Sequence, residues 1–217
     1  FLLSLMEFVL TSNNFIFNKK HFIQKQGTAM GTKMAPSYAC LFMGSLEKKM
    51  LASAPYAPIF WKRFIDDILI IWPHGKEKMT EFLEHLNNYH ETIKFDASPL
   101  SKSTSFLDVQ ITINNGEIET DLFSKPTDSH CYLPWSSCHP HGTKKSIPYS
   151  QALRLKRICC KPHKLSDRLH QLEGHLKARG YKHKSIKAAF ERVRNTPREE
   201  TLIYKKKRHF QENHFPH

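Results

Sequence analysis

Lys62-Arg63-Phe64-Ile65-Asp66-Asp67-Ile68-Leu69-Ile70-Ile71-Trp72 is the stretch whose reading decides the fold. Two adjacent carboxylates stand between apolar, strand-forming residues, and such runs bounded by polar residues read as buried strands. Aspartate is poor inside strands and favoured in turns, so the stretch predicts a tight hairpin with Asp66 and Asp67 at its tip. Neighbouring carboxylates repel and raise each other's pKa. Two readings of such a tip stand open. One is a site for a hard divalent cation such as Mg²⁺, which takes carboxylate oxygens and substrate phosphates together. The other is a solvated surface turn, and the apolar strands on both sides weigh against it by mounting the turn on a sheet.

Upstream, residues 1–11 carry apolar side chains at helical spacing and predict a helix packed on a core. A hairpin over Phe15–Ile23 follows. The segment Gln26-Gly27-Thr28-Ala29-Met30-Gly31-Thr32-Lys33-Met34-Ala35-Pro36 is a glycine-containing loop entering a helix that runs to about Leu51, with Pro36 suited to its first turn. Such a loop lets backbone approach a phosphate or a base edge closely; it fits neither the P-loop nor the dinucleotide fingerprint. Downstream, Lys76–Tyr89 predicts an amphipathic helix with Met79, Phe82, Leu83, Leu86 and Tyr89 on its buried face. Thr92–Phe95 predicts a short strand, and Asn115-Gly116 joins two alternating runs, 105–113 and 117–123, as a hairpin. Residues 1–125 thus read as an α+β domain built on antiparallel hairpins. A proline-rich, linker-like stretch spans 126–148. Its Cys131, Cys138, His139 and His141 could serve zinc, although their spacing matches no common site. Three helices are expected over about 149–160, 164–180 and 184–195, with Gly180 as a C-cap; they resemble a helix-turn-helix arrangement.

The formal net charge of the 217 residues is +13, unevenly placed. Residues 1–140 carry 13 Lys and Arg against 14 Asp and Glu, whereas 141–217 carry 20 against 6. The basic excess therefore belongs to the last third and implies a polyanionic partner. Candidate nucleic-acid contacts there are Lys144, Lys145, Arg154, Arg157, Lys187, Arg192 and Arg194, followed by a basic tail over 198–217 with Lys205-Lys206-Lys207-Arg208. Five cysteines without framework spacing point to reduced thiols in an intracellular setting, and the Lys205–Arg208 run, as a phosphate or nuclear-import patch, to a nuclear one. No apolar segment is long enough for a bilayer.

The order of these features resembles the second half of a reverse-transcriptase palm followed by a helical thumb. The wording is similar to the Penelope-like retroelement reverse transcriptases, related to telomerase. The segments that carry the resemblance are Gln26–Thr32, Arg63–Asp67, Ser105–Val109, Phe123–Asp128, Ser137–Pro140 and the Arg154/Arg157 run before Cys159. It implies Asp66 and Asp67 as catalytic metal ligands for two Mg²⁺ ions in nucleotidyl transfer. It implies Gln26, Gly27, Met30, Gly31 and Phe64 beside the nucleotide and template. Its partners would be an RNA template, a DNA primer and deoxynucleoside triphosphates. Met30 stands where many relatives carry Gln, and Phe64 where many carry Tyr. The family's first catalytic aspartate belongs to a strand upstream of residue 1, so the expectation is a partial palm (1–125) and a basic thumb (149–197) of a longer protein, with an incomplete metal site. The alternative is a non-catalytic, helix-turn-helix-like nucleic-acid-binding remnant.

Overall fold

The protein is described by a computed structural model covering residues 1–203. Packing divides it between Leu100 and Ser101 into two units. The basic tail motif Lys205–Arg208 lies outside the described residues. The architecture is α+β, with small antiparallel sheets and, among the described residues, seven helices.

In the first unit, α1 (Leu2–Thr11) precedes the hairpin of β1 (Asn14–Phe17) and β2 (Lys20–Ile23). Asn18 and Lys19 both hold positive φ at its turn, the type I′ geometry that matches strand twist. The expected packing of α1 is not borne out. None of its residues is buried, because among the described residues nothing covers its apolar side. α2 (Ala35–Ala52) begins with proline in its first turn, as the sequence indicates. The core of this unit forms where Met50 of α2 meets Phe82 and Leu86 of α3 (Lys76–Tyr89), with Trp61, Ile70 and Trp72 packed against them. Trp61 lies on β3 (Phe60–Phe64), Ile70 on β4 (Asp67–Ile71), and Trp72 directly after β4. Thr92–Phe95 is not a strand. Asn87 takes over the role of a partner strand: its side chain accepts from the Phe95 amide at 2.6 Å and donates to the Phe95 carbonyl at 3.0 Å. Both backbone groups are satisfied without a ladder.

In the second unit, β5 (Ser103–Phe106), β6 (Val109–Asn114) and β7 (Glu117–Leu122) form one sheet in that order. Asn115-Gly116 makes the expected I′ turn between β6 and β7. The run over 105–113 is not one strand but breaks at Leu107-Asp108, where Leu107 sits at φ 55°. β7 of the sheet packs with helices α4 (His141–Ile158) and α5 (Pro162–Ala178), while α6 (His183–Arg194) packs on α4 and α5 and the short α7 (Arg198–Leu202) on α4. α4 starts eight residues before the expected 149 and carries Pro148 inside it, fully buried. Nor is 126–148 a free linker: Tyr132 and Trp135 pack against the helical core of Leu169, Leu172, Leu176, Ile186 and Phe190.

β7 and α5 are joined by charge. Glu117, Glu119 and Asp121 recur every second residue of the strand, while Lys161, Lys164 and Arg168 recur at helical spacing from the N-cap of α5. Lys161 reaches Glu119 at 3.4 Å and Glu117 at 3.9 Å, Lys164 reaches Glu119 at 3.5 Å, and Arg168 grips both oxygens of Asp121 at 3.1 and 2.9 Å. Burial pushes the Asp121 carboxyl up, but hydrogen bonds from Arg168 and the Leu122 amide, with the charge of Arg168, outweigh it and hold the carboxyl below its ordinary range. A depressed carboxylate contributes stability that is present above its unfolded pKa, about 3.9, and is lost as pH falls through the folded value. The second unit should therefore lose stability below about pH 4. Urea unfolding at pH 7 and pH 3 checks this, and Arg168→Met should shrink the difference between the two midpoints.

Candidate nucleic-acid interface

Three helices build the basic surface. α5 ends in a Schellman motif: Tyr181 N–H donates to the Leu176 carbonyl at 3.1 Å and Gly180 N–H to the Lys177 carbonyl at 2.9 Å, with Gly180 at φ 83°. A left-handed residue at this position is where glycine is favoured. Four residues, Arg179 to Lys182, then turn the chain into α6, a glycine-containing connection of helix-turn-helix length. The turn is braced from outside. Tyr181 donates its hydroxyl to the Leu133 carbonyl at 2.9 Å, its ring meets Trp135 edge-on at 5.3 Å, and the Trp135 amide donates to the Arg179 carbonyl at 2.8 Å. α6 buries Ile186, Phe190 and Val193 and leaves Lys184, Lys187, Glu191 and Arg194 exposed.

The structure sorts the expected contacts by what already holds them. Lys144 is a correction: it is buried, and its ammonium donates to the carbonyls of Trp135 (3.0 Å) and Ser137 (2.7 Å), tying the aromatic loop to α4. A phosphate does not reach it there. Arg154 is paired with Asp108 through Nε at 2.9 Å, and Arg157 Nε donates to the Thr201 carbonyl at 2.8 Å. Arg192 lies over the Tyr149 ring, 4.4 Å from its centroid, a cation–π contact that leaves its charge at the surface. Lys145, Lys187 and Arg194 are exposed, and no side-chain hydrogen bond or ion pair among the described residues holds their charges. Lys184 belongs with them and was missed in the sequence; its signal is the three-residue step to Lys187 along one helix face.

The zinc reading finds no support, since no group of three or more metal-ligating side chains gathers among the described residues. Cys131 instead accepts hydrogen bonds from Ser129 Oγ at 3.2 Å and Arg179 Nη2 at 2.9 Å, and these lower its thiol pKa.

In the first unit the carboxylate hairpin forms as expected, with one change of register. Phe64 pairs with Asp67, so Ile65 and Asp66 occupy the turn and Asp67 opens β4. Of the two turn residues only Ile65 has a positive φ, 57°, in the region that favours glycine. Holding a β-branched residue there costs on the order of 1–3 kcal/mol. Arg63 restrains the turn: it grips Glu47 of α2 at 2.7 and 3.2 Å and donates to the Ile65 carbonyl at 3.0 Å. Asp66, Asp67 and Phe64 are all exposed. The two carboxylates offer the hard oxygens that Mg²⁺ takes, and they leave most of an octahedral shell to other ligands. In the glycine loop, Gly27 and Gly31 hold φ of 76° and 96°, Gln24 Nε2 donates to the Gln26 carbonyl at 2.8 Å, and the Met30 side chain stands fully in solvent. Among the described residues, no hydrogen bond or ion pair joins this loop to the Asp66 turn.

Residues 131–191 match the family model of the animal helix-turn-helix domain. No curated protein and no solved structure matches the chain. The matched segment opens at the loop that braces the α5–α6 turn and closes within α6. No helix among the described residues is long and apolar enough to cross a membrane. The two adjacent lysines provide a test of the sorting. Lys144→Met should destabilise the protein by about 1.5–3 kcal/mol, the range for hydrogen bonds to charged groups. Lys145→Met should stay within about 0.5 kcal/mol of the parent, as for surface substitutions. Thermal unfolding of the two variants measures both.

Proposed function

We propose that this chain is a nucleic-acid-binding protein that presents α6 of its helix-turn-helix segment to the phosphate backbone and groove of a duplex. The observation that carries the reading is the set of exposed cations Lys184, Lys187 and Arg194, unpaired among the described residues and outnumbering the one acid of that face, Glu191, on the second helix after a short glycine turn. Second helices in this arrangement are the ones that enter a groove, and a fixed row of cations releases condensed counterions on binding. The match over residues 131–191 supports the same reading. The test is fluorescence anisotropy of the whole chain on a labelled duplex across a salt series. Changing Lys184, Lys187 and Arg194 together to Gln should weaken binding and reduce the salt slope by about two to three. An unchanged affinity and slope overturns the assignment.

A second reading places this module behind a reverse-transcriptase palm. It is favoured by the strained, Arg63-restrained turn that holds Asp66 and Asp67 in solvent, since backbone strain of this kind clusters at functional sites. On this reading the two aspartates would hold Mg²⁺, which would supply charge neutralisation for nucleotidyl transfer from deoxynucleoside triphosphates onto a DNA primer paired with an RNA template. Gln26, Gly27, Met30, Gly31 and Phe64 would line the nucleotide and template. The ion would neutralise phosphate charge, while the chain's own part is to keep two hard anionic donors at a rigid tip. Titration with Mg²⁺ monitored by amide NMR should shift residues 64–68 in the parent and not in Asp66→Asn. Equal shifts in the two proteins would remove Asp66 as a ligand.

A further inference from the structure

A cavity of about 470 Å³ opens where the C-terminal ends of α4 and α6 meet the start of α5 and the short α7. Four cations line it, Lys156, Lys161, Arg194 and Arg198, against one carboxylate, Glu199. Each comes from a different element: α4, the N-cap of α5, α6 and α7. Converging cations repel, so their meeting needs either local compensation or an anion. Compensation is partial. Lys161 is shared with Glu119 at 3.4 Å, Lys156 Nζ reaches the Arg194 carbonyl at only 3.5 Å, and Arg198 Nη2 donates to the Arg157 carbonyl at 2.9 Å. Arg198 Nε is buried and has no hydrogen-bond partner among the described residues, a condition that costs free energy unless a ligand or water relieves it. Arg194 has its guanidinium uncommitted among the described residues.

The rest of the wall has the same preference. α5 starts with Pro162 in its first turn and has no side-chain cap, and its N-terminal end, the positive end of the helix dipole, borders the cavity through Lys161 and Pro162. Ser166 is exposed on that wall, and the buried Leu165 and Leu169 supply its apolar part. Planar guanidinium groups together with ammonium groups suit tetrahedral phosphate oxygens.

We infer that this cavity is a binding site for a phosphoryl group. Arg194 belongs to both the cavity wall and the exposed row of α6. The source of the group is therefore a backbone phosphate of the nucleic acid lying along α6, and that part of the inference rests on the function proposed above. A free phosphorylated molecule has the same chemistry and is the other source to be distinguished.

The experiment uses the whole chain and its Ser166→Glu variant, which puts a carboxylate into the cavity from an exposed position near the start of α5. Lys156→Gln serves as a second variant should Ser166→Glu fail to fold. Thermal unfolding is followed in 10 mM pyrophosphate and in sodium chloride of equal ionic strength, and duplex affinity is measured over a salt series. For a millimolar site, pyrophosphate should raise the parent's midpoint by about 3–6 °C over chloride, and the variant should show no such rise. In the variant, duplex affinity should fall about tenfold and the salt slope should drop by about one, the loss of one phosphate contact. A variant that loses the pyrophosphate response but binds duplex like the parent identifies a free phosphorylated ligand as the occupant. Pyrophosphate no better than chloride for the parent, with unchanged duplex binding by the variant, overturns the site. A parent that binds no duplex at all refutes the proposed function, and the pyrophosphate arm still reads the cavity on its own.

Discussion

The helical unit depends on an ion ladder between a strand and a helix of different period. Carboxylates on β7 recur every two residues, about 6.8 Å, and cations on α5 recur every three or four, about 4.5–6 Å. The two spacings nearly agree over one rung and part over the next. The ladder therefore has one tight rung, Arg168 on Asp121, and looser ones toward Glu117. Thr120 completes the join, donating its hydroxyl to the Ile158 carbonyl at 2.6 Å and accepting from the Cys160 amide at 3.1 Å. With α5 fixed against the sheet, the Gly180 turn sets where α6 points, and Tyr181 and Trp135 hold that turn in place.

This ladder also qualifies what the charge of the chain means. The residues from 141 onward carry 20 cations against 6 acidic groups, but Lys161, Lys164 and Arg168 are matched by acids of the preceding sheet, and Arg154 is matched by Asp108. A charge boundary drawn along the sequence divides partners that are neighbours in space. The packing boundary at Leu100 puts β5, β6 and β7 with the helices whose charge they offset.

What could be read from the residues was whatever a local rule decides. The Asn115-Gly116 turn, the apolar face of α3, the start of α2 at its proline, the Gly180 cap and the hairpin around Asp66 all follow from spacing and backbone preference. What could not be read depended on a distant partner. Phe95 looks like a strand residue until Asn87 supplies both of its backbone hydrogen bonds. Leu107 continues an alternating run, and the alternation does not reveal that the chain reverses there. Pro148 marks a helix boundary by local preference, yet α4 runs through it because the side chain is buried in the helical unit. Lys144 looks like its neighbour Lys145, and only the fold separates a buried tie from a surface charge. The metal-site reading of Asp66 and Asp67 came from the adjacent pair itself, and the resemblance gave it a role; among the described residues no group of three metal-ligating side chains forms around them.

The uncovered side of α1 and the β1–β2 hairpin has a colloidal consequence. Phe1, Leu2, Leu3, Phe8, Ile16 and Phe17 all face solvent with most of their surface, next to two strands whose outer edges are unpaired. Such edges and apolar faces invite association between copies, and a net charge of +13 keeps those copies apart. Salt shortens the reach of that repulsion to about 8–10 Å at ordinary ionic strength, while leaving the apolar attraction intact. Dispersions of this chain are thus charge-stabilised: added electrolyte drives them toward coagulation where it would help an ordinary basic protein dissolve, and a bound polyanion, by cancelling the same charge, moves them in that direction too.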